Sequence, residues 1–383
     1  MIYLDNAATT SPKPRPVREA VDRALRTFSA NPGRSGYRMS MAAAEELYAC
    51  RKEASDFFHG PGPENVAFPL NCTQALNMVL KGWLKAGDHV VVSDLEHNAA
   101  MRPLEALREK GVTYTAAHVS IGDHDATVDA FRKSMNEKTR LILCTHASNV
   151  WGARLPVERI AALAHAYQIP IAVDAAQSAG VLPIDMQEMG LDFLCVPGHK
   201  GLYGPMGTGL LLTARGEQLE TILEGGTGSS SMQLRQPQEM PDRFESGTLN
   251  VPGIAGLRAG IRFVKQRREE LFRHEMAYVQ ALYDRLASIP EVVLYTPRPD
   301  PQHFAPLLSC NVQGFSSEEA GAILARQGIA VRCGLHCAPA AHRAMGTLEQ
   351  GTIRLAPSAF SNFAEIPQVT AGFLKMIHRK FSK

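Results

Sequence analysis

Between about residues 64 and 212 the chain alternates short apolar runs with stretches whose apolar residues recur at helical spacing, and this rhythm limits the fold most. The runs at 66–70, 89–92, 112–119, 140–145, 169–174, 193–196 and 210–212 read as strands. Between them, helices are predicted from Thr73, from Asn98, near 126–135 and over 155–167. Apolar runs alternating with amphipathic helices argue for an α/β fold with a mainly parallel sheet covered on both faces. Ligands in such sheets bind beyond the carboxyl ends of the strands.

The flanks follow other rhythms. Val17, Ala20, Val21, Ala24, Leu25 and Phe28 recur at helical spacing, as do Leu47, Cys50, Ala54, Phe57 and Phe58, while residues 5–10 read as an irregular polar lead-in. The loop at 31–38 carries Arg34 and Arg38, which either meet an anion or face solvent; solvent is the simpler reading. A long helical stretch from Gly253 to about Leu286 leads to strands at 292–295, 307–312, 330–332 and 352–355. With them come a helix opened by Ser316-Ser317-Glu318-Glu319 and a final helix near 362–381, which together make a smaller α+β lobe. A chain of 383 residues suits two lobes. The expected division is a large domain over 15–260 and a small one built from 1–14 and 261–383. No internal repeat is visible, and the longest low-complexity tract is 225–231.

Composition narrows the partners. Lys and Arg total 40 against 38 Asp and Glu, a net charge of +2 with the signs interspersed, so neither nucleic acid nor membrane is an expected partner. No apolar run approaches the roughly 18 residues of a membrane span, and the first residues lack the pattern of a signal peptide, so a cytoplasmic location is expected. Seven cysteines are too few, and odd in number, for a disulfide framework.

The polar residues of interest stand just after predicted strands. Residues 195–209 set one lysine, Lys200, among five glycines and two prolines. Glycine there allows sharp turns and close approach, and a lysine held partly out of water has the lowered pKa that Schiff-base chemistry requires. The 169–174 strand ends in Asp174, which could cap the next turn, bind a metal or pair with a protonated ring nitrogen. An aspartate 26 positions before a glycine-framed lysine (174 to 200) suggests pyridoxal phosphate, whose ring it would keep protonated. His97 and Asn149 follow two other strands. Asn71-Cys72-Thr73-Gln74, opening a helix, reads either as a phosphate site or as an ordinary N-cap. Cys333, His336, Cys337 and His342 are zinc-ligand types, yet they crowd into ten residues without paired spacing, and no metal is expected. The segment around Lys200 also lacks the G-x-x-x-x-G-K-[ST] frame of a nucleotide phosphate loop.

Asp5-Asn6-Ala7-Ala8-Thr9-Thr10, Glu96-His97-Asn98, Ser148-Asn149, Asp174-Ala175-Ala176-Gln177, Gly198-His199-Lys200, Gly247-Thr248 and Arg332-Cys333-Gly334-Leu335-His336-Cys337-Ala338-Pro339 occur in one order along nearly the whole chain. This set resembles the class V aminotransferase-like enzymes, and within them the cysteine desulfurase and selenocysteine lyase family. The resemblance implies a pyridoxal-phosphate-dependent fold of type I, like that of aspartate aminotransferase, and a homodimer with shared sites. It implies Lys200 as the Schiff-base lysine, Asp174 against the pyridine nitrogen, Gln177 near the ring hydroxyl and His97 stacked on the ring and assisting proton transfer. Thr73 and His199 would hold the phosphate, Thr248 would reach the phosphate of the other subunit, and Arg354 would grip the substrate carboxylate. Cys72 and Asn149 join the cofactor-lining set, Asn149 also facing substrate. Cys337 would take sulfur from L-cysteine as a persulfide and pass it to an acceptor protein, leaving alanine.

His336 and Arg332 are candidates for activating the thiol. Seventeen positions separate Cys337 from Arg354, a short connection that resembles the second group of desulfurases, whose cysteine loop is compact. Pro197 stands where the family often has a hydroxyl residue beside the phosphate. Cys333 and Leu335 also depart from the usual motif; Cys333 either resolves a persulfide or is a small buried residue on a strand. Competing readings are a selenocysteine lyase or cysteine β-lyase on the same fold, and a non-catalytic sulfur carrier.

Overall fold

All seven apolar runs of the first half come together in one sheet. The computed structural model describes residues 1–33, 35–229 and 232–381, without the side chains of 379–381. Arg34 and the last two residues of the 225–231 tract lie outside the described residues. Strand β1 (Ile2–Tyr3) is followed by helices α1 (Arg15–Thr27) and α2 (Arg38–Phe58). Then come β2 (Val66–Ala67), α3 (Cys72–Trp83), β3 (His89–Ser93), α4 (Asn98–Arg108), β4 (Thr113–Ala117) and α5 (His124–Ser134). The alternation continues with β5 (Thr139–Thr145), α6 (Val157–Ala166), β6 (Ile171–Asp174), β7 (Phe193–Pro197) and β8 (Gly209–Leu212). The sheet order is β2-β8-β7-β6-β5-β3-β4. Pairings from β4 through β7 are parallel, while β8 runs antiparallel to both β7 and β2.

The sheet is buried on both faces because successive side chains point to opposite sides of it. Val91, Ile142, Val173 and Leu194 enter one apolar core, and Val90, Leu141, Ala172 and Phe193 enter the other. With both faces covered, the polar residues that follow β3, β5, β6 and β7 are left at one edge. That edge carries the candidate site.

The chain then forms α7 (Val251–Lys265), α8 (Arg268–Ala287), β9 (Val292–Leu294), β10 (Leu308–Val312), α9 (Ser317–Arg326), β11 (Ile329–Ala330), β12 (Arg332–Gly334), α10 (Pro339–Ala344), β13 (Thr352–Leu355) and α11 (Ile366–Phe381). An antiparallel sheet of order β12-β13-β10-β9 packs with α8, α9 and α11 around Leu282, Leu324, Ile353 and Phe373. Strand β1 returns to this part of the molecule, pairing Ile2 with Ile329 and Tyr3 with Ala330.

Two expectations are corrected, and one helix is added. The single helix expected over 253–286 is two, α7 and α8, interrupted at Gln266–Arg267. The strand expected at 330–332 is split between partners: β11 pairs with β1, and β12 with β13. Helix α10 was not expected, because its six residues are too few to display a period.

Candidate active site

Lys200 and Asp174 are brought together by backbone packing. Strand β6 delivers Asp174, and the turn after it lies against the loop that follows β7. A Cβ on Gly201 would stand 2.4 Å from the Ala179 carbonyl oxygen, and one on Gly180, whose φ is +83°, would stand 2.3 Å from the Gly201 carbonyl oxygen. Side chains at those positions would push the two segments apart. The lysine loop also closes on itself, the Tyr203 N–H donating to the Lys200 carbonyl at 2.8 Å and the Gly204 N–H to the Gly198 carbonyl at 2.8 Å. Burial lowers the pKa of the Lys200 amine; Asp174 opposes that, and Arg354 and Arg332 add to it.

The cleft above these two is lined by Cys72, Thr73, His97, Asn149, Gln177 and His199, with Pro197 at its edge. Asn71 caps α3, its Oδ1 accepting from the Gln74 N–H at 2.9 Å, and Thr73 is exposed at the helix start. Asp174 Oδ1 accepts from the Ala176 N–H at 2.8 Å and from the Cys72 thiol at 3.3 Å, so the carboxylate caps its turn while lining the cleft. Burial, with Asp174 next to it, raises the pKa of Cys72 and keeps it a thiol.

His97 caps α4 through Nδ1, which accepts from the Ala99 N–H at 3.0 Å. Burial pushes its pKa to about 4 despite Asp174, so the ring is neutral and carries its hydrogen on Nε2. Gln177 Nε2 donates to the Ala7 carbonyl at 3.1 Å. His199 is held neutral near 4 by burial and by Lys200 and Lys13, and its buried Nδ1 has no hydrogen-bond partner. Thr248 is exposed in the turn before α7 and does not line this cleft in its own chain.

The cysteine loop hangs over the same edge. Cys337 is exposed at φ 56°, next to His336 at φ 49°, two successive left-handed residues that are not glycine. The loop is pinned from the large sheet: Asn98 N–H donates to the Cys337 carbonyl at 2.7 Å, and Asn149 Nδ2 to the His336 carbonyl at 2.8 Å. Arg332 Nη2 lies 3.5 Å from Cys337 Sγ. His336 does not supply a second cation. Its Nε2 faces Thr352, and burial beside Arg354 pushes its pKa to about 2.

Because β12 alternates, Cys333 points the opposite way from Arg332. Its sulfur sits where a Cβ on Gly321 would be, 2.1 Å away, and burial raises its pKa to about 11. It packs against the core around Leu324 and Ile353, in keeping with the reading of a small residue buried on a strand. Across the strand pair, Arg354 is register partner of Arg332. Its guanidinium is 1% exposed and donates to the Asn149 carbonyl at 2.9 Å and to Asp5 Oδ1 at 3.0 Å, while its Nε has no partner. Sequence reasoning missed Asp5, whose position just after the apolar Ile2-Tyr3-Leu4 run was the available signal.

The model of the aminotransferase class-V family matches residues 2–369. The chain belongs to the class V aminotransferase family. Within the family it is 34% identical to a probable cysteine desulfurase of Methanothermobacter thermautotrophicus, over 95% of this chain and 92% of that protein. It is 31% identical to a cysteine desulfurase of Klebsiella pneumoniae, over 88% of this chain and 84% of the relative. Among solved structures it resembles the apo cysteine desulfurase of Thermococcus onnurineus with a TM-score of 0.90 and 30% identity, covering 98% and 94% of the two chains. The cysteine desulfurase CsdA of Escherichia coli gives a TM-score of 0.85 at 25% identity, with coverage of 98% and 94%. The α/β fold expected from the sequence is that of this family.

Proposed function

We propose that the protein is a pyridoxal 5'-phosphate-dependent cysteine desulfurase that takes sulfur from L-cysteine onto Cys337 and leaves L-alanine. The observation that carries this reading is that the Cys337 loop is hydrogen-bonded to Asn149, which lines the Lys200 cleft, and to Asn98, which follows the cleft-lining His97 at the start of α4. The cofactor suits the residues present: a buried amine and carboxylate on adjacent strand ends, a neutral histidine ring in the cleft, and a buried His199 nitrogen in want of a partner. Lys200 would hold the aldehyde carbon, Asp174 the ring nitrogen, Gln177 the ring hydroxyl, and Thr73 and His199 the phosphate. His97 and Cys72 would line the ring. When bound, the cofactor supplies an electron sink for negative charge at the substrate Cα.

The chain's own groups do the rest. Arg354 offers a guanidinium to the substrate carboxylate, and Asn149 braces it from the other side. Lys200, whose lowered pKa favours the free amine, takes the Cα proton. The Cys337 thiolate, with Arg332 beside it, attacks the substrate sulfur. A sulfur–sulfur bond forms and the carbon–sulfur bond breaks with its electrons staying on the carbon fragment. Neutral His97 takes the proton of the substrate thiol and passes it to that carbon, and Lys200 returns the proton to Cα, which completes alanine. The persulfide then passes to an acceptor thiol, on a protein or a small reductant. We also infer a homodimer in which Thr248 completes the partner's phosphate site, consistent with its exposed position outside its own cleft.

The test is product analysis with purified protein and L-cysteine, with and without a thiol reductant. Alanine that is stimulated by reductant and lost in Cys337→Ser is expected. Pyruvate, or alanine indifferent to that substitution, would make the protein a β-lyase instead.

A further inference from the structure

Residues 5–13 touch three parts of the site. Asp5 accepts from Arg354 at 3.0 Å, the Ala7 carbonyl accepts from Gln177 at 3.1 Å, and the remaining contacts converge on the peptide joining His199 to Lys200. The His199 carbonyl oxygen accepts from the Thr10 N–H at 3.2 Å, from Thr9 Oγ1 at 3.2 Å and from Lys13 Nζ at 2.8 Å. Thr10 Oγ1 has one hydrogen for two carbonyls, that of His199 at 3.2 Å and that of Lys200 at 3.1 Å. Lys13 Nζ donates to that same oxygen at 2.8 Å, which turns the hydroxyl hydrogen towards the carbonyls.

Both hydrogen bonds found from Lys13 Nζ among the described residues go to neutral oxygens, Thr10 Oγ1 and the His199 carbonyl. Lys13 is half-buried, burial pulls its pKa down to about 8, and no salt bridge to it is found among the described residues. A cation taken from water without a counter-charge costs stability, so the arrangement calls for a reason beyond folding.

We propose that Lys13 is a positioning residue for Lys200: it fixes the His199–Lys200 peptide and sets a positive charge on the carbonyl oxygen of that peptide, beside His199. The inference rests on the reading of Lys200 as the cofactor lysine. Around Lys200, Asp174 favours the charged amine while Arg354 and Arg332 oppose it, and the Cys72 thiol faces it. Lys13 joins Lys200 in holding His199 neutral.

The test uses the full chain loaded with pyridoxal phosphate, following the visible absorption of the bound cofactor against pH in wild type, Lys13→Met and Lys13→Arg. Removing a nearby positive charge makes a proton easier to hold on the Lys200 nitrogen. The absorption midpoint of Lys13→Met is therefore expected to rise by roughly half a pH unit or more, with Lys13→Arg returning it towards wild type. A several-fold fall in kcat with little change in KM is expected alongside. A Lys13→Met protein that binds cofactor fully and keeps the wild-type midpoint would overturn the inference, and leave the desulfurase reading standing. If Lys13→Met does not fold, Lys13→Gln keeps a donor without the charge and meets the same criterion. The shifted midpoint in a protein that releases no alanine from cysteine would support the role of Lys13 and overturn the substrate instead.

Discussion

Arg354 is almost wholly buried, yet it keeps its charge because Asp5 and the Asn149 carbonyl meet it. Burial lowers its pKa only to about 10, so it is cationic throughout the working range. A planar fork of five N–H donors held at two points keeps its three remaining donors in one fixed plane, which a lysine ammonium cannot do. Arg354→Lys is expected to raise KM for L-cysteine about tenfold or more with a smaller change in kcat, the loss of one bidentate contact. An unchanged KM in steady-state kinetics would mean that Arg354 only holds the fold. Arg332 stands beside the thiol, its Nη2 3.5 Å from Cys337 Sγ. Arg332→Ala is expected to slow alkylation of Cys337 at neutral pH several-fold, read by mass spectrometry, with Cys333 unreactive in both proteins because it faces Gly321.

The elements that matter are two loops, one after β7 and one after β12, each fixed by a different means. The lysine loop is held by backbone on backbone. Gly180→Ala puts a Cβ on the Gly201 carbonyl at a position of positive φ, and a loss of about 2 kcal/mol or more is expected, together with weaker cofactor retention after dialysis. A melting temperature and cofactor content equal to wild type would show that the loops can part freely. The cysteine loop is held by hydrogen bonds from Asn98 and Asn149, against the cost of two left-handed residues. Asn149→Ala leaves the His336 carbonyl without its partner and removes about 1 kcal/mol of restraint. Persulfide formation, followed by rapid quenching, should slow while the wild-type absorption spectrum is retained.

At the scale of the whole molecule, helix α8 is tied to the lysine loop by a buried carboxyl. Tyr203 Oη donates to Glu275 Oε1 at 3.1 Å and accepts from the Ala359 N–H at 2.8 Å, so one phenol joins α8, the lysine loop and the segment after β13. Burial raises the Glu275 pKa from 4.5 to about 8. Below about pH 4.5 the group is protonated whether the chain is folded or not. Between there and about 8 only the unfolded chain releases the proton readily, so the stability tied to this group falls as pH rises through that window and levels off above it. Glu275→Gln should therefore flatten the pH dependence of the melting temperature and gain on wild type towards pH 8; parallel curves would refute it. The proposed homodimer is tested at the same scale. Sedimentation should give about twice the chain's 41.7 kDa, and Thr248→Ala should weaken cofactor binding without altering that mass.

The sheet and the polar residues at its edge were legible in the sequence, because both are local. A buried strand writes itself as an apolar run, and the polar residue that ends it is adjacent in sequence, so Asp174, His97, Asn149 and Lys200 were legible beside β6, β3, β5 and β7. Tertiary structure alone decided which far-apart residues meet. Nothing near Asp5 announces Arg354, 349 positions away, and nothing near Lys13 announces the peptide before Lys200. It also decided directions that a motif leaves open. His336 and Cys333 both flank Cys337 closely in sequence, but the loop turns one to Thr352 and the pleat of β12 turns the other to Gly321. Sequence spacing records which residues are neighbours along the chain; the orientation of each side chain is set by the surface it packs against.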